Sequence, residues 1–245
     1  MQSAPAIAVN KFSLKYQHHN LFDALDFVLP AEKCSCLLGP SGVGKSSILR
    51  FVAGLTNDQI ITNSGSIKAS DGRSLKNRVA HMAQQDSLMP WLSSLENVMI
   101  GARLRGEKIT PAHKKQALTL LEKVGLAQAT DLLPDKLSGG MRQRVALART
   151  LFEDKQIVLM DEPFSSLDAI TRMKLQELAV ELLQKRTVLL VTHDPLEALR
   201  IADYIYVMTG SPAKINLAIE PREKTPRDLA DPELMKQYAR LLKLL

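Results

Sequence analysis

The alternation of hydrophobic and polar residues predicts strands in the first thirty positions. Apolar side chains recur at about every second position between residues 5 and 30, which is typical of short, half-buried antiparallel strands. These apolar positions are Ile7, Val9, Phe12, Leu14, Tyr16, Leu25, Phe27 and Leu29. The compact apolar run at 34–38 that follows is typical of a parallel strand buried on both faces.

Helical spacing begins at Lys45 and dominates the middle of the chain. Apolar residues lie three and four positions apart through 45–53 and again through much of 95–152. Thr110 and Pro111 form a helix start, and the apolar stripe that follows them ends at Gly125. The pattern therefore predicts a strand–loop–helix unit followed by a helical segment.

Strand patterns return in the last third of the chain and alternate with a helix. They occupy 157–160, 188–191 and 204–208. A helix is predicted between the first two, with apolar positions at Leu167, Ile170, Leu175, Leu178, Leu182 and Leu183. Strands alternating with helices favour an α/β fold with a mainly parallel sheet and crossover connections.

These patterns predict one domain over residues 1–245 with distinct parts. Residues 1–85 and 156–210 would form the core together with an antiparallel β subdomain. Residues 86–155 would form an inserted α-helical subdomain, and residues 211–245, rich in proline and charge, a C-terminal tail. A short helix is expected near 232–245, at the end of the tail.

Composition is that of an ordinary globular protein, with 45% hydrophobic and 24% charged residues and a net charge of +6. The basic excess is consistent with a solvated surface, with phosphate ligands or with an anionic membrane surface. No run of lysine and arginine marks a nucleic-acid tail, so we expect no nucleic-acid partner.

The N-terminus lacks the apolar core of a signal peptide, and no apolar run approaches the ~18 residues of a membrane span. We therefore expect any membrane role to come through a partner.

The two cysteines, Cys34 and Cys36, lie two residues apart on a predicted strand. They would share one face of that strand, where they cannot form a bridge of normal geometry. We interpret them as small buried apolar side chains in a protein of a reducing compartment.

Residues 39–46 match the pattern G-x-x-x-x-G-K-[ST] in full; they are Gly39, Pro40, Ser41, Gly42, Val43, Gly44, Lys45 and Ser46. Glycines allow the backbone to wrap so that successive N–H groups point at phosphate oxygens. The helix that follows adds the positive charge of its N-terminal end. Lys45 supplies a positive charge for the β- and γ-phosphates, and the Ser46 hydroxyl is a ligand for Mg²⁺. Because this phosphate loop (residues 39–46, continued by Ser47) follows a predicted strand, it predicts a P-loop NTPase core.

Two adjacent carboxylates end the predicted strand at 157–160. Asp161 would lie near Mg²⁺ beside the phosphate loop, and Glu162 would take a proton from the attacking water. Adjacent acids at a strand end are often solvated turn residues, but the upstream phosphate loop favours the catalytic interpretation.

A second helix start that suits an anion lies at Ser138, Gly139 and Gly140. Ser-Gly-Gly before an apolar-periodic segment is a helix N-cap, and a capped N-terminus with flanking glycines also binds anions. The spacing from Lys45 does not reveal whether the two helix starts meet within one chain.

Three segments together, GPSGVGKSS, LSGGMRQR and IVLMDEPFSSLD, resemble the nucleotide-binding subunits of ABC transporters over essentially the whole chain. In that family two ATPases face each other head to tail, and the signature loop of each completes the other's ATP site. The resemblance implies that Ser138, Gly139 and Gly140 contact the γ-phosphate bound to a second, identical copy. The implied ligands are ATP and Mg²⁺.

The resemblance assigns roles to further residues. Gln84 resembles the Q-loop glutamine that contacts Mg²⁺ and the attacking water, although Gln85 is adjacent and an alanine precedes Gln84 where the family usually has an aromatic. Asp168 resembles the D-loop aspartate that crosses the dimer interface, and His193 the switch histidine that contacts the γ-phosphate. Tyr16 lies where the family has an aromatic that stacks on adenine.

The resemblance also implies partners and a location. An integral-membrane permease and, indirectly, a periplasmic or extracellular substrate-binding protein are expected, with this chain peripheral at the cytoplasmic face of the inner membrane. The segment DSLMPWLSSLENV resembles that of importer ATPases for nitrate, sulfonate, taurine and thiamine-pyrimidine precursors, and the segment at 220–222 resembles their tail. The only tryptophan, Trp91, belongs either to the core of the helical subdomain or to the rim of a groove for a permease helix.

Three other classes of protein share parts of this pattern. A DNA-repair ATPase with the same cassette needs a long coiled coil between Gln84 and Ser138, and only a short segment separates them. A translation-associated protein carries two cassettes, whereas this sequence has one phosphate loop. A metabolic P-loop kinase leaves LSGGMRQR unexplained. A transporter ATPase accounts for all the motifs.

Overall fold

The computed structural model describes residues 3–16, 19–55 and 60–245 and divides the chain into two compact units. Unit 1 comprises Met1–Val79, Gln156–Glu162 and Leu183–Leu245; unit 2 comprises Ala80–Lys155 and Pro163–Leu182. The strands in chain order are β1 (Ile7–Tyr16), β2 (His19–Leu29), β3 (Cys34–Leu38), β4 (Ile60–Ala69), β5 (Val79–Met82), β6 (Ile157–Asp161), β7 (Thr187–Thr192), β8 (Tyr204–Thr209) and β9 (Lys214–Ile219). The helices are α1 (Lys45–Val52), α2 (Ser94–Val98), α3 (Ile100–Leu104), α4 (Pro111–Lys123), α5 (Gly139–Phe152), α6 (Ala169–Leu182), α7 (Pro195–Ile201) and α8 (Pro232–Leu242).

Unit 1 contains a three-stranded antiparallel sheet in the order β2-β1-β4. β1 and β2 confirm the strands predicted from alternation, and Ile7 pairs with Leu29 on one side and Ala69 on the other. β4 was not predicted, because its sequence IITNSGSIKA is mostly polar after its first two residues and lacks a clear two-residue period. The missing side chain of Gly65 lets β4 approach β1, since a Cβ there would lie 2.4 Å from the carbonyl oxygen of Lys11.

A larger sheet of unit 1 runs in the order β6-β7-β3-β8-β9. β3 lies parallel to both β7 and β8, and β6 parallel to β7, as the alternation of strands and helices predicted. β9 is antiparallel to β8 and lies within the segment that was assigned to the tail. Because β6, β7 and β3 are adjacent and parallel, their carboxyl ends lie at one edge, where the phosphate loop and Glu162 follow.

Hydrophobic side chains from both sheets pack into one core of unit 1. Phe12 lies 4.3 Å from Phe51 between ring centroids, and Leu37, Leu49 and Leu159 are almost completely buried. The core fixes β3 and α1 on either side of the phosphate loop.

Both cysteines are free thiols; Cys36 is buried and Cys34 half-buried. Burial raises the pKa of the Cys34 thiol to about 12 and raises that of Cys36 as well. Both side chains therefore stay protonated and act as small apolar groups, as predicted.

Unit 2 is mainly helical, and its helix starts follow capping rules. Ser93 and Glu96 form a capping box at α2, and Thr110 caps α4 with Pro111 in the first helical position, as predicted. The expected buried stripe of α6 is wrong at Ile170, which is 69% exposed. At 100° per residue Ile170 lies about 140° around the helix from the buried Leu175, so it faces solvent.

Among the residues that the structure describes, no helix combines the length and the apolar character that a bilayer span requires.

Candidate nucleotide-binding site

The phosphate loop connects β3 to α1, and its backbone shape requires glycine at two positions. A Cβ at Gly39 would lie 2.4 Å from the carbonyl oxygen of Met208. Gly44 has a φ of 107°, and a Cβ there would lie 2.7 Å from the ring of Phe22. No other residue fits these positions without moving backbone or core, so the loop keeps its N–H groups open to a ligand.

Lys45 is held inside the phosphate loop. Its Nζ donates hydrogen bonds to the carbonyl oxygens of Gly39 at 2.7 Å and Pro40 at 2.9 Å, and the residue is 6% exposed. Burial lowers the pKa of Lys45, while the nearby carboxylates of Glu162 and Asp161 raise it. The loop thus positions a cation at its centre.

Asp161 ends β6 as a buried carboxylate beside Ser46. The residue is 3% exposed, and its Oδ1 has no hydrogen-bond partner. Burial raises the pKa of Asp161, whereas a hydrogen bond with the Ser46 side chain lowers it. An unpartnered buried carboxylate oxygen next to a hydroxyl is a donor set that suits a hard cation such as Mg²⁺.

Glu162 and His193, predicted as catalytic from distant parts of the chain, lie in contact. His193 Nδ1 is 2.9 Å from Glu162 Oε1. Glu162 has a φ of 49°, and its backbone N–H donates to the carbonyl oxygen of Val191 at 2.8 Å. A non-glycine residue in the left-handed region is strained, and such strain is common at functional sites.

The start of α5 in unit 2 carries the predicted signature residues. Ser138 is the N-cap, and its Oγ accepts a hydrogen bond from the backbone N–H of Met141 at 3.2 Å. A Cβ at Gly140 would lie 3.3 Å from the carbonyl oxygen of Ser166, so this glycine packs against the D-loop. A Cβ at Gly139 would meet only the Arg142 side chain at 3.9 Å, so packing within unit 2 does not require a glycine there.

Gln84 and Gln85 are both exposed and both line a cavity of about 450 Å³ in unit 2. Neither exposure nor the cavity distinguishes the two glutamines, and Gln84 remains the predicted Q-loop residue. The same wall of this cavity contains Asp86, whose Oδ2 accepts a hydrogen bond from Arg142 Nε at 2.9 Å. Arg149 donates to the backbone carbonyl of Asp86 at 2.6 Å, so two arginines of α5 hold this segment. Sequence reasoning missed these contacts because no local pattern relates residues 56 positions apart.

Asp168 is exposed and forms the start of α6. Its Oδ1 accepts a hydrogen bond from the backbone N–H of Thr171 at 3.0 Å, and these hydrogen bonds lower its pKa. Its role across a dimer interface stays a prediction.

The remaining two predictions concern aromatic residues. Tyr16 ends β1, but its side chain lies outside the described residues, so adenine stacking also stays a prediction. Trp91 is 71% exposed, which shows that its interpretation as a core residue is wrong.

Known proteins resemble this chain over most of its length. The sequence profile of the family described as "ABC transporter" matches residues 22–165. An uncharacterized ABC transporter ATP-binding protein of Haemophilus influenzae is 41% identical over 96% of this chain and 97% of its own length. The aliphatic sulfonates import ATP-binding protein SsuB 1 of Pseudomonas syringae pv. syringae is 40% identical over 91% of this chain and 89% of its own length.

Solved structures agree as well. A dimeric ABC transporter cassette in a post-hydrolysis state with ADP and Pi has a TM-score of 0.75 and 25% identity, and covers 91% of this chain. The alignment spans 100% of that structure's chain. The predicted α/β fold with a P-loop NTPase core is thereby confirmed. The phosphate loop, the paired carboxylates and these matches together show that this chain belongs to the ABC transporter family and is an ATP-binding ATPase of that family.

Proposed function

We propose that this chain binds ATP with Mg²⁺ in the phosphate loop and, paired with a second copy, hydrolyses it to drive a membrane importer. The contact between Glu162 and His193 carries the proposal, since it places a general base and a histidine at the carboxyl ends of two adjacent parallel strands. Hydrolysis of this kind is an in-line attack of water, which depends on positioning and charge stabilisation.

The predicted site residues of unit 1 each have a chemical role in this reaction. Backbone N–H groups of the phosphate loop and the start of α1 bind the phosphates, and Lys45 exchanges its carbonyl acceptors for the β- and γ-phosphate oxygens. Ser46 Oγ and Asp161 Oδ1 would hold Mg²⁺, which supplies charge neutralisation on the phosphate oxygens when bound. Phosphate oxygens and water would supply the remaining ligands, as is usual for Mg²⁺ bound with a nucleotide.

Glu162 orients the attacking water and accepts its proton. Its carboxylate is held by His193, and its side chain is 12% exposed, so it faces little competition from bulk solvent. The His193 side chain is more exposed, at 55%, and its Nε2, the ring nitrogen that does not contact Glu162, would approach the γ-phosphate of a bound nucleotide. A positioned general base contributes about 10²–10⁴ in rate.

The need for a second copy is supported by the start of α5. Ser138 and Gly139 are exposed, and the chain's own packing does not require glycine at 139. A close approach of a phosphate to a capped helix start would require it. We therefore place the ATP of one copy against Ser138, Gly139 and Gly140 of the other, with Asp168 at the interface and Gln84 facing the water and Mg²⁺.

The importer proposal is supported by the sulfonate-import relatives and by Trp91. Trp91 is 71% exposed, and tryptophan is enriched at the centres of protein interfaces. The partner we propose is an integral-membrane permease, which this chain contacts at the cytoplasmic face of the inner membrane. On the other side of the membrane, a substrate-binding protein would deliver the solute to the permease. An aliphatic sulfonate is the favoured solute class, because it is what several relatives near 40% identity import by name.

Growth on single sulfur sources tests this proposal. A strain lacking the gene should lose growth on alkanesulfonates while keeping growth on sulfate, and the unsubstituted gene should restore it. The Glu162→Gln gene should fail to restore growth although its protein is present at normal levels. Restoration by Glu162→Gln would refute the catalytic assignment, and normal growth of the deleted strain on every alkanesulfonate would refute the solute class.

A further inference from the structure

We infer that Arg227, in the C-terminal tail, is a positioning residue for the ATPase reaction: it holds helix α7 so that His193 stays against Glu162. This inference rests on the proposed function, in which that contact is catalytic.

The Arg227 side chain is buried, and its N–H groups donate hydrogen bonds to backbone carbonyl oxygens. Nη1 donates to Leu199 at 2.6 Å and to Ala202 at 2.8 Å, both at the end of α7. Nε donates to Glu223 at 3.0 Å and Nη2 to Pro221 at 3.3 Å, both in the tail. One guanidinium therefore joins the end of α7 to the tail.

A second set of bonds repeats this link through the backbone of Arg227. Its N–H donates to the carbonyl oxygen of Arg200 at 2.9 Å, and its own carbonyl accepts from Arg200 Nη1 at 3.2 Å. The last carbonyls of a helix have no partner within the helix, and a cation there also complements the helix dipole. Arg227 thus caps α7 in both geometry and charge.

Helix α7 begins two residues after His193. Asp194 is its N-cap, and its Oδ1 accepts from the N–H groups of Leu196 at 2.9 Å and Glu197 at 3.4 Å. The helix has seven residues and packs along its length against β3, β7 and α8. The hydrogen bonds at its two ends add to this packing and restrict how the helix can shift. One end is next to His193, and the other end is held by Arg227.

The tail is also attached to α7 by the apolar packing of α8. Leu234 and Leu241 of α8 are buried at 2% and 0% exposure and pack the helix without any charge. A buried guanidinium is costly, and burial lowers the pKa of Arg227 accordingly. The hydrogen bonds from Arg227 to the carbonyl oxygens of Leu199 and Ala202 offset the cost of burying the guanidinium.

The test compares Arg227→Gln and Arg227→Lys with Arg222→Gln, a change at an exposed arginine of the same tail. We expect Arg227→Gln to lower kcat about 10–100-fold with less than a threefold change in the KM for ATP, because small misplacements of catalytic groups have effects of this size. Arg227→Lys should recover part of kcat, and Arg222→Gln should match the unsubstituted protein.

A second readout follows the contact itself. The NMR chemical shifts of the His193 imidazole can be assigned with a His193→Gln variant. In Glu162→Gln the side chain that contacts His193 is altered, so the His193 shifts should change. In Arg227→Gln they should move in the same direction, because the contact is loosened. Unchanged His193 shifts and an unchanged kcat in Arg227→Gln, with only a lower melting temperature, would show that Arg227 merely anchors the tail. If Arg227→Gln does not fold, the same readouts in Arg227→Lys decide.

The two proposals fail in distinguishable ways. An unsubstituted protein without ATPase activity would count against the proposed function, while the His193 shifts would still report whether Arg227 maintains the contact. An active protein whose Arg227 variants keep kcat and His193 shifts would overturn only the inference about Arg227.

Discussion

His193 Nδ1 lies 2.9 Å from Glu162 Oε1, although 31 positions separate the two residues. Each residue follows directly after a strand, Glu162 after β6 and His193 after β7, and those strands are parallel neighbours. The contact is therefore a consequence of sheet order, reinforced by the hydrogen bond from the Glu162 N–H to the Val191 carbonyl. It brings together the two side chains that the proposed mechanism needs at the attacking water.

Glu162→Gln should bind ATP normally and hydrolyse it about 10²–10⁴ times more slowly, because the amide cannot accept the proton of the attacking water. ATP should then accumulate between two copies, which size-exclusion chromatography with and without ATP would detect. Glu122→Gln, at an exposed position of α4, is the matched control. Rapid turnover by Glu162→Gln would exclude Glu162 as the base.

Lys45→Ala should weaken ATP binding at least about tenfold, which corresponds to a loss of ~1.4 kcal/mol. The cation lies at the centre of the phosphate loop, and the carbonyls of Gly39 and Pro40 would lose its charge. Calorimetric titration with ATP measures the effect, and Lys136→Ala, an exposed lysine, is the control. An unchanged affinity would contradict the assignment of the phosphate loop.

Ser138→Asp separates the capping role of Ser138 from its proposed contact with ATP. Aspartate caps helices about as well as serine, so the free energy of unfolding should change by less than about 0.5 kcal/mol. A carboxylate facing the γ-phosphate of the other copy should nevertheless abolish the ATP-dependent dimer in a Glu162→Gln background. Ser138→Asn, an uncharged cap, should keep more of the dimer; equal dimerisation by both variants would show that no phosphate lies there.

Asp161→Asn should stabilise the nucleotide-free protein near neutral pH. Burial raises the pKa of Asp161 in the folded chain, so the folded state holds this proton to a higher pH than the unfolded state does. The carboxylate then costs stability as the pH rises through the interval between the two pKa values, and costs none below the unfolded one.

The difference in unfolding free energy between Asp161→Asn and the unsubstituted protein should therefore grow from pH 4 to pH 8 in urea titrations. Asp135→Asn, at a largely exposed aspartate, is the control substitution. The same Asp161 variant should lose Mg²⁺-dependent ATPase activity. A constant difference across this pH range would contradict the raised pKa.

Trp91→Ala should leave the free energy of unfolding within about 0.5 kcal/mol, since the side chain is 71% exposed. Binding to the permease should weaken by more than ~1 kcal/mol, because tryptophans dominate such interfaces. The single tryptophan also reports directly, and its fluorescence should shift to the blue when the permease covers it. No shift in the assembled transporter would place the permease elsewhere.

Local patterns were sufficient for most elements of the fold. β1, β2, β3, α1 and the capped start of α4 follow from period and capping signals that act within a few residues. β4 was missed because its sequence lacks a clear alternation. β9 was missed although Ile215 and Leu217 alternate with polar residues, because the whole segment after residue 210 was assigned to a tail on its proline and charge content. Ile170 was assigned to a buried face that only the packing of α6 defines. Motifs such as the phosphate loop were recognisable because their chemistry requires particular residues at fixed spacing.

The amino-acid sequence alone determined the family, the phosphate loop and the identity of the two carboxylates at the end of β6, because each of these is written in consecutive residues. Only the tertiary structure decided that His193 meets Glu162, that Asp161 has an unpartnered buried oxygen, and that Arg227 holds the end of α7. Such contacts depend on strand order and on how distant segments pack. Neither the strand order nor the packing leaves a signal in local spacing, because the contacting residues are brought together by the burial of other side chains.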